Sequence, residues 1–149
     1  MVRKVFDVEK ADLKTPLEEL GGKSLGETLL TPTKIYIKQM HKVFAEVDVH
    51  GLAHITGGGF DENIPRILKD GQGVEVKEGS WEILPVFRLL EKYGKVSHRE
   101  MFNIFNMGVG MVIVLDESEA AKAVEILTAA GEKASVIGRV TDTEGVVIK

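Results

Sequence analysis

The stretch DVHGLAHITGGGFDENIPRIL, residues 48–68, decides how this chain is read. An apolar run at residues 52–55 leads into Thr56-Gly57-Gly58-Gly59, and an amphipathic segment, residues 60–68, follows at once. That order is strand, glycine turn, helix. Three consecutive glycines have no Cβ, so the backbone is free to take positive φ and to come close to a ligand. The N–H groups of a helix start point the same way, with the positive end of the helix dipole behind them. The pattern suits an anion, above all a phosphate group. A tight strand-to-helix turn without a ligand has the same appearance, because turns use glycine for local reasons.

The composition sets the frame around this stretch. A chain of 149 residues has room for one domain with a real core. Hydrophobic residues at 44% and charged residues at 28% are ordinary for a globular protein, and aromatics at 6% make the core mainly aliphatic. A net charge of −4 gives no electrostatic ground for nucleic acid or an anionic membrane as partner. A phosphate ligand therefore needs a local positive site. The absence of cysteine excludes disulfides, thiolate nucleophiles and cysteine metal sites, and fits a reducing compartment. No run approaches the ~20 apolar residues of a membrane span. Residues 1–6, MVRKVF, are too short an apolar run for a signal peptide. The expected address is the cytoplasm.

Outward from the glycines, the chain alternates irregularly. Residues 2–8 read as a short edge strand. Residues 9–23 are polar and carry Pro16 and Gly21-Gly22, a connection. Ser24-Leu25-Gly26-Glu27 has the capping-box pattern and opens a short helix to Leu30, which Pro32 ends. KIYIK, residues 34–38, alternates as a strand does. Residues 39–47 have Met40, Val43, Phe44 and Val47 at helical spacing. Residues 74–76 form a brief strand, and Pro85 starts a helix that Gly94 stops. Ser97 and Glu100 make a second capping box, for a helix to about Phe105. Residues 111–115 are continuously apolar, a strand covered on both faces. Asp116 starts a helix to Ala130. Residues 134–140 and 145–148 are the last strands, joined by a polar turn. The fold class is α+β, a mixed β-sheet with packed helices.

Other apparent motifs fail on spacing or order. Gly22-Lys23-Ser24 imitates the end of a P-loop, but Leu17 stands where that motif needs its first glycine. Gly108-Val109-Gly110 precedes its strand, whereas the dinucleotide fingerprint follows one. Asn106, beside those glycines, either contacts a ligand or caps the preceding helix. His50 and His54 share a strand face but have no clear third metal ligand, and no metal site is expected. His54 suits a phosphate hydrogen bond or general-acid work; a structural hydrogen bond is the plainer role. Asp61 and Glu62 suit a helix start, and either would repel a phosphate bound close by unless a cation such as Arg66 offsets it.

Four segments together closely resemble the aminoimidazole ribonucleotide synthetase family, the phosphoribosylformylglycinamidine cyclo-ligases (PurM) of purine biosynthesis. They are LLTPTKIYIK (29–38), the 48–68 stretch, the region of Trp81 and FNMGVGMVIVL (105–115). The resemblance covers essentially the whole chain, and only the C-terminal half of the family. It implies an α+β domain, partly ferredoxin-like. It also implies an absent N-terminal domain that holds most of the ATP and Mg2+ site and mediates homodimerisation, so no tightly bound cofactor is expected here. The family uses ATP to activate the formyl amide oxygen of formylglycinamidine ribonucleotide, whose amidine side then closes the imidazole ring. By this resemblance Thr56, Gly57, Gly58 and Gly59 are backbone donors to the substrate phosphate, and His54 is an acid or electrostatic stabiliser. Asn63 and Asn106 are polar contacts, and Thr31 and Thr33 lie in a segment kept near the site. Thr28 stands where some members have a histidine, so no role of that histidine carries over. This chain alone is expected not to turn over. The alternatives are the matching domain of a related ATP-dependent enzyme, such as a hydrogenase maturation protein, and a phosphate-binding or assembly module without catalysis.

Overall fold

A computed structural model describes residues 1–149. In chain order its elements are α1 (Val2–Val5), α2 (Leu25–Leu29), α3 (Ile37–Phe44), β1 (Val49–His54) and α4 (Gly59–Asn63). Then follow β2 (Gly73–Val76), α5 (Pro85–Gly94), α6 (His98–Ile104), β3 (Met111–Leu115), α7 (Glu117–Ala129), β4 (Gly138–Thr141) and β5 (Gly145–Ile148). The α+β class holds, with the strands divided between two small sheets. β1 and β3 form an antiparallel ribbon, His54 opposite Met111 and Leu52 opposite Ile113. The mixed sheet is β4–β2–β5, in which β2 is antiparallel to β4 and parallel to β5.

The ribbon separates two apolar layers. On one side Met111, Ile113 and Leu115 pack with Leu52 against Met40, Val43, Val47 and Ala123 of the α3–α7 layer. On the other, Ala53 and Val112 join the main core of Ile55, Phe60, Ile64, Val74, Val76, Leu90, Met101, Phe102 and Met107. The continuous apolar run at β3 is explained by this double duty, since alternate side chains enter different cores. Each β3 residue stays only half-buried because the ribbon has two strands.

Several expectations need correction. Residues 2–8 form no strand: Val2, Val5 and Phe6 are spaced for a helix face, and all three pack on the main core from α1. KIYIK is not a paired strand either. Its first three residues have no regular structure, Tyr36 already takes the αR conformation, and α3 begins at Ile37, with Ile35 and Ile37 exposed. The segment at 60–68 is two short pieces, because Pro65 brings no N–H and the chain resumes as a 3₁₀ turn, Pro65–Ile67. The second capping box is half made: Ser97 Oγ accepts from Glu100 N at 3.3 Å, but the Glu100 carboxylate takes Asn103 Nδ2 at 3.2 Å. The first is complete, and it accounts for Gly22-Lys23-Ser24: Ser24 is a buried cap, with Glu27 N donating to its Oγ and its own N–H donating to the Glu27 carboxylate.

The last two strands do not form the hairpin that their spacing suggests. β2 lies between them, so the link at residues 142–144 passes over the start of β2. A side chain at Gly73 would collide with the Thr143 carbonyl and the Gly145 backbone. Gly73→Ala is therefore expected to cost about 3 kcal/mol, read as a lower urea midpoint at unchanged slope.

Helix α6 is fastened by the ion pairs of two residues, Arg99 and His98. Arg99 donates through both terminal nitrogens to Asp61, at 2.7 and 2.6 Å, and also to the Val146 carbonyl of β5 at 3.2 Å. His98 stands between Glu78 and Glu91, with Nε2 2.9 Å from the first carboxylate and Nδ1 3.1 Å from the second. Both ring nitrogens donate only in the imidazolium form. The Glu78 hydrogen bond first, then Glu91, pushes the His98 pKa above its ordinary value, against the opposing effect of burial. A raised folded pKa means that the bridge contributes fully below the unfolded value of about 6.5 and is lost as pH rises through the folded one. The urea midpoint should therefore fall as pH rises above about 6.5, and His98→Gln should flatten that dependence.

Candidate functional site

The glycine turn caps the end of the β1–β3 ribbon. Gly59 N donates to the Thr56 carbonyl at 3.0 Å, and Gly58, at φ 88° and ψ 0°, holds the third position of a type II turn. Gly59 follows at φ 54° and is the N-terminal residue of α4. Its missing Cβ is a packing requirement, because any side chain would strike the Phe102 and Phe105 carbonyls at the end of α6. Gly57 differs: a Cβ there meets nothing within 4 Å. It lies on the open side of the turn, next to the exposed Thr56. The N–H groups of Gly57 and Gly58 donate to no group in the chain.

Asn63 shapes the turn from beneath. It is 5% exposed, and its Nδ2 donates to the Gly59 carbonyl at 2.7 Å and the Gly57 carbonyl at 3.2 Å, with Thr56 O at 3.5 Å. Loop carbonyls are thereby held inward, which leaves N–H groups on the outer side. Below lies an aromatic floor. Phe60 meets Phe102 edge-on at 5.6 Å and Trp81 at 5.8 Å.

The second glycine loop arrives at the same end. Ile55 N donates to the Gly110 carbonyl at 2.9 Å, directly tying the two loops. Asn106 Oδ1 accepts from Gly108 N at 3.1 Å, and its own carbonyl accepts from Val109 N at 2.8 Å. Met107, at φ 49°, is buried, and its carbonyl accepts from Trp81 Nε1 at 2.9 Å. Asn106 therefore organises its own loop through Oδ1, while Nδ2 has no partner in the chain.

His54 is exposed at the end of β1, beside the turn. Its ring meets the Tyr36 ring edge-on, centroids 6.0 Å apart. His50 does not join it: a bulge between Val49 and Gly51 interrupts the alternation, and His50 lies near Asp48 and Asp116, at 3.7 and 3.9 Å. Thr31 and Thr33 are exposed on the segment that leads to Tyr36, and Thr31 Oγ1 donates back to Glu27 O at 3.3 Å. Both first-turn carboxylates are paired, Asp61 with Arg99 and Glu62 with Arg66 at 3.7 Å. Glu62 also folds against Gly58. Sequence reasoning missed Arg99 and Tyr36. Nothing marks Arg99 in the sequence, while Tyr36 was placed among alternating lysines, where its inward direction carries no signal.

The comparisons fit this arrangement. The family described as "AIR synthase related protein, C-terminal domain" matches residues 1–149. The chain belongs to that family. A phosphoribosylformylglycinamidine cyclo-ligase from Bifidobacterium longum subsp. infantis is 49% identical over 150 residues, covering 99% of this chain and 44% of the relative. One from Bacillus cereus (strain B4264) is 50% identical over 149 residues, covering 98% of this chain and 42% of the relative. The chain thus spans less than half the length of these relatives. Among solved structures, E. coli HypE, a hydrogenase maturation protein, superposes with a TM-score of 0.61 at 18% identity, over 90% of this chain and 43% of that one. At that identity the likeness is one of fold. The resemblance read from the four sequence segments is borne out at the level of the family.

The glycines of this AIR synthase-related domain separate by role. Gly57→Ala is expected to change stability by no more than about 0.5 kcal/mol. Asn63→Ala, which removes the buried amide that ties the Gly57 and Gly59 carbonyls together, is expected to cost about 1–3 kcal/mol in urea unfolding.

Proposed function

We propose that this domain forms the substrate-phosphate side of an ATP-dependent cyclo-ligase that converts formylglycinamidine ribonucleotide to aminoimidazole ribonucleotide in purine biosynthesis, with release of ADP and phosphate. The observation that carries the reading is the pair of unbonded N–H groups at Gly57 and Gly58. Gly57 lies on the open side of a turn shaped by Asn63, with Gly58 next to it against Glu62, in a chain about half identical to named cyclo-ligases. Backbone donors fixed in advance are suited to phosphate oxygens, since no reorganisation accompanies binding. Thr56 adds an exposed hydroxyl, and Asn106 adds a free amide donor from the adjoining loop. His54, beside the turn, supplies a proton or a positive charge as the amide oxygen is activated and the ring closes.

No trio of His, Asp and Glu gathers around the turn. Magnesium and the adenine nucleotide are assigned to the other domain of the full-length enzyme, which also carries the homodimer contact. No helix is long and apolar enough to cross a membrane. A cytoplasmic enzyme is the proposed setting.

The test is a titration of this chain with formylglycinamidine ribonucleotide, ribose 5-phosphate and inorganic phosphate, followed by amide NMR. The Gly57 and Gly58 resonances should move with both organic phosphates. Gly57→Ala should weaken binding about tenfold while the fold is kept, and Glu62→Gln, which removes a carboxylate from the turn, should tighten it. Glycine resonances that stay still at saturating ligand defeat the phosphate reading. ADP formation by this chain alone, with ATP, Mg2+ and substrate, defeats the assignment of catalysis to two domains.

A further inference from the structure

His54 has little to hold it. It is the last residue of β1, exposed, and its imidazole makes no hydrogen bond within the chain. A histidine in that setting samples several rotamers, each of which aims its nitrogens differently. One ring contact restricts it, the edge of Tyr36 at 6.0 Å and 68°. Tyr36 itself is well anchored. Its carbonyl accepts from Met40 N at 2.9 Å as α3 begins, and it packs against the apolar cluster of Met40, Val43, Val47 and Ala123. Two residues earlier, Lys34 is paired with Glu132 at the end of α7.

Gly110 makes room for this phenol. Any side chain at Gly110 would run into the Tyr36 hydroxyl. A glycine beside a strand can mark the close approach of another group. Here that group is Tyr36, and Gly110 is also the residue whose carbonyl ties the two glycine loops together. Burial pushes the Tyr36 pKa up, so the ring stays a neutral partner over the range in which a histidine titrates.

We propose that Tyr36 is a positioning residue, whose ring fixes the His54 imidazole at the mouth of the glycine turn so that it faces a phosphorylated ligand bound there. The functional half of this proposal rests on the phosphate reading above. An aromatic pair of this kind contributes about three- to tenfold in an equilibrium constant.

The test is a double-mutant cycle on this chain with ribose 5-phosphate as probe. Tyr36→Leu keeps apolar volume and removes the ring; Tyr36→Phe keeps the ring and removes the hydroxyl. Tyr36→Leu should weaken binding about three- to tenfold, and Tyr36→Phe should restore it. In a His54→Ala background Tyr36→Leu should have no further effect, because the tyrosine acts through the histidine. An equal loss in both backgrounds overturns the proposal, as does failure of Tyr36→Phe to restore binding. The His54 ring-proton resonances, read without ligand, should shift in Tyr36→Leu and not in Tyr36→Phe. If they stay unchanged in Tyr36→Leu, the positioning role is overturned. If the unsubstituted chain binds no ribose 5-phosphate while those resonances respond, the phosphate reading alone has failed.

Discussion

The contact on which the site depends is the one between Gly59 and the end of α6. Two pieces of backbone meet there without a side chain between them, Gly59 against the carbonyls of Phe102 and Phe105. That approach lets Phe60 and Phe102 interlock at 5.6 Å with Trp81 beside them, and all but the indole are fully buried. It also brings the NMGVG loop, which follows α6, against the turn that precedes α4. Few aromatics are available to this chain, and three of them are concentrated under one turn. The stiffest part of the core thus lies directly below the part of the backbone with open donors.

Charge is arranged to the same end. A mildly acidic chain with two carboxylates in the first turn of α4 is a poor host for an anion. Arg99 changes this by holding Asp61 in a two-pronged pair and reaching on to β5, so one acid serves as a strut between α4, α6 and the sheet. Glu62 is shared with Arg66, both more than half exposed, and such pairs are weak and readily exchanged. On the proposed phosphate reading, an arriving phosphate would compete with one loosely held carboxylate, while the better-fixed one stays with its arginine.

The central stretch was legible in the sequence because its signals agree with each other. An apolar run, glycines and a helix start occur in the right order, and the structure has them in that order. What sequence could not distinguish was which glycine serves what. Gly57 and Gly59 read alike, yet one faces open space and the other touches a distant helix. Contacts between residues some forty positions apart decide that. Local pattern also failed at KIYIK and at residues 2–8, where β-branched residues suggested strands. In both places no neighbouring strand edge exists to pair with, and Tyr36 and Val2 are drawn instead to apolar layers supplied by other elements. At the end of the chain the cause is different: two strands joined by a short polar turn are kept from pairing with each other because a third strand lies between them.

That third strand has a consequence for how the chain reaches its fold. β4 and β5 each take their hydrogen bonds from β2, more than sixty residues earlier, and none from each other. The C-terminal segment has no structure of its own to form and must wait for β2 to be in place. It then closes around β2 from both edges in one event, the short link settling over Gly73. The loop entropy of that long separation is lost before any of its bonds form, which is a cost that local pairing would not carry. The β1–β3 ribbon at the site end also joins distant stretches, Val49 to Leu115 and His54 to Met111, but there a single pair of strands meets along one edge.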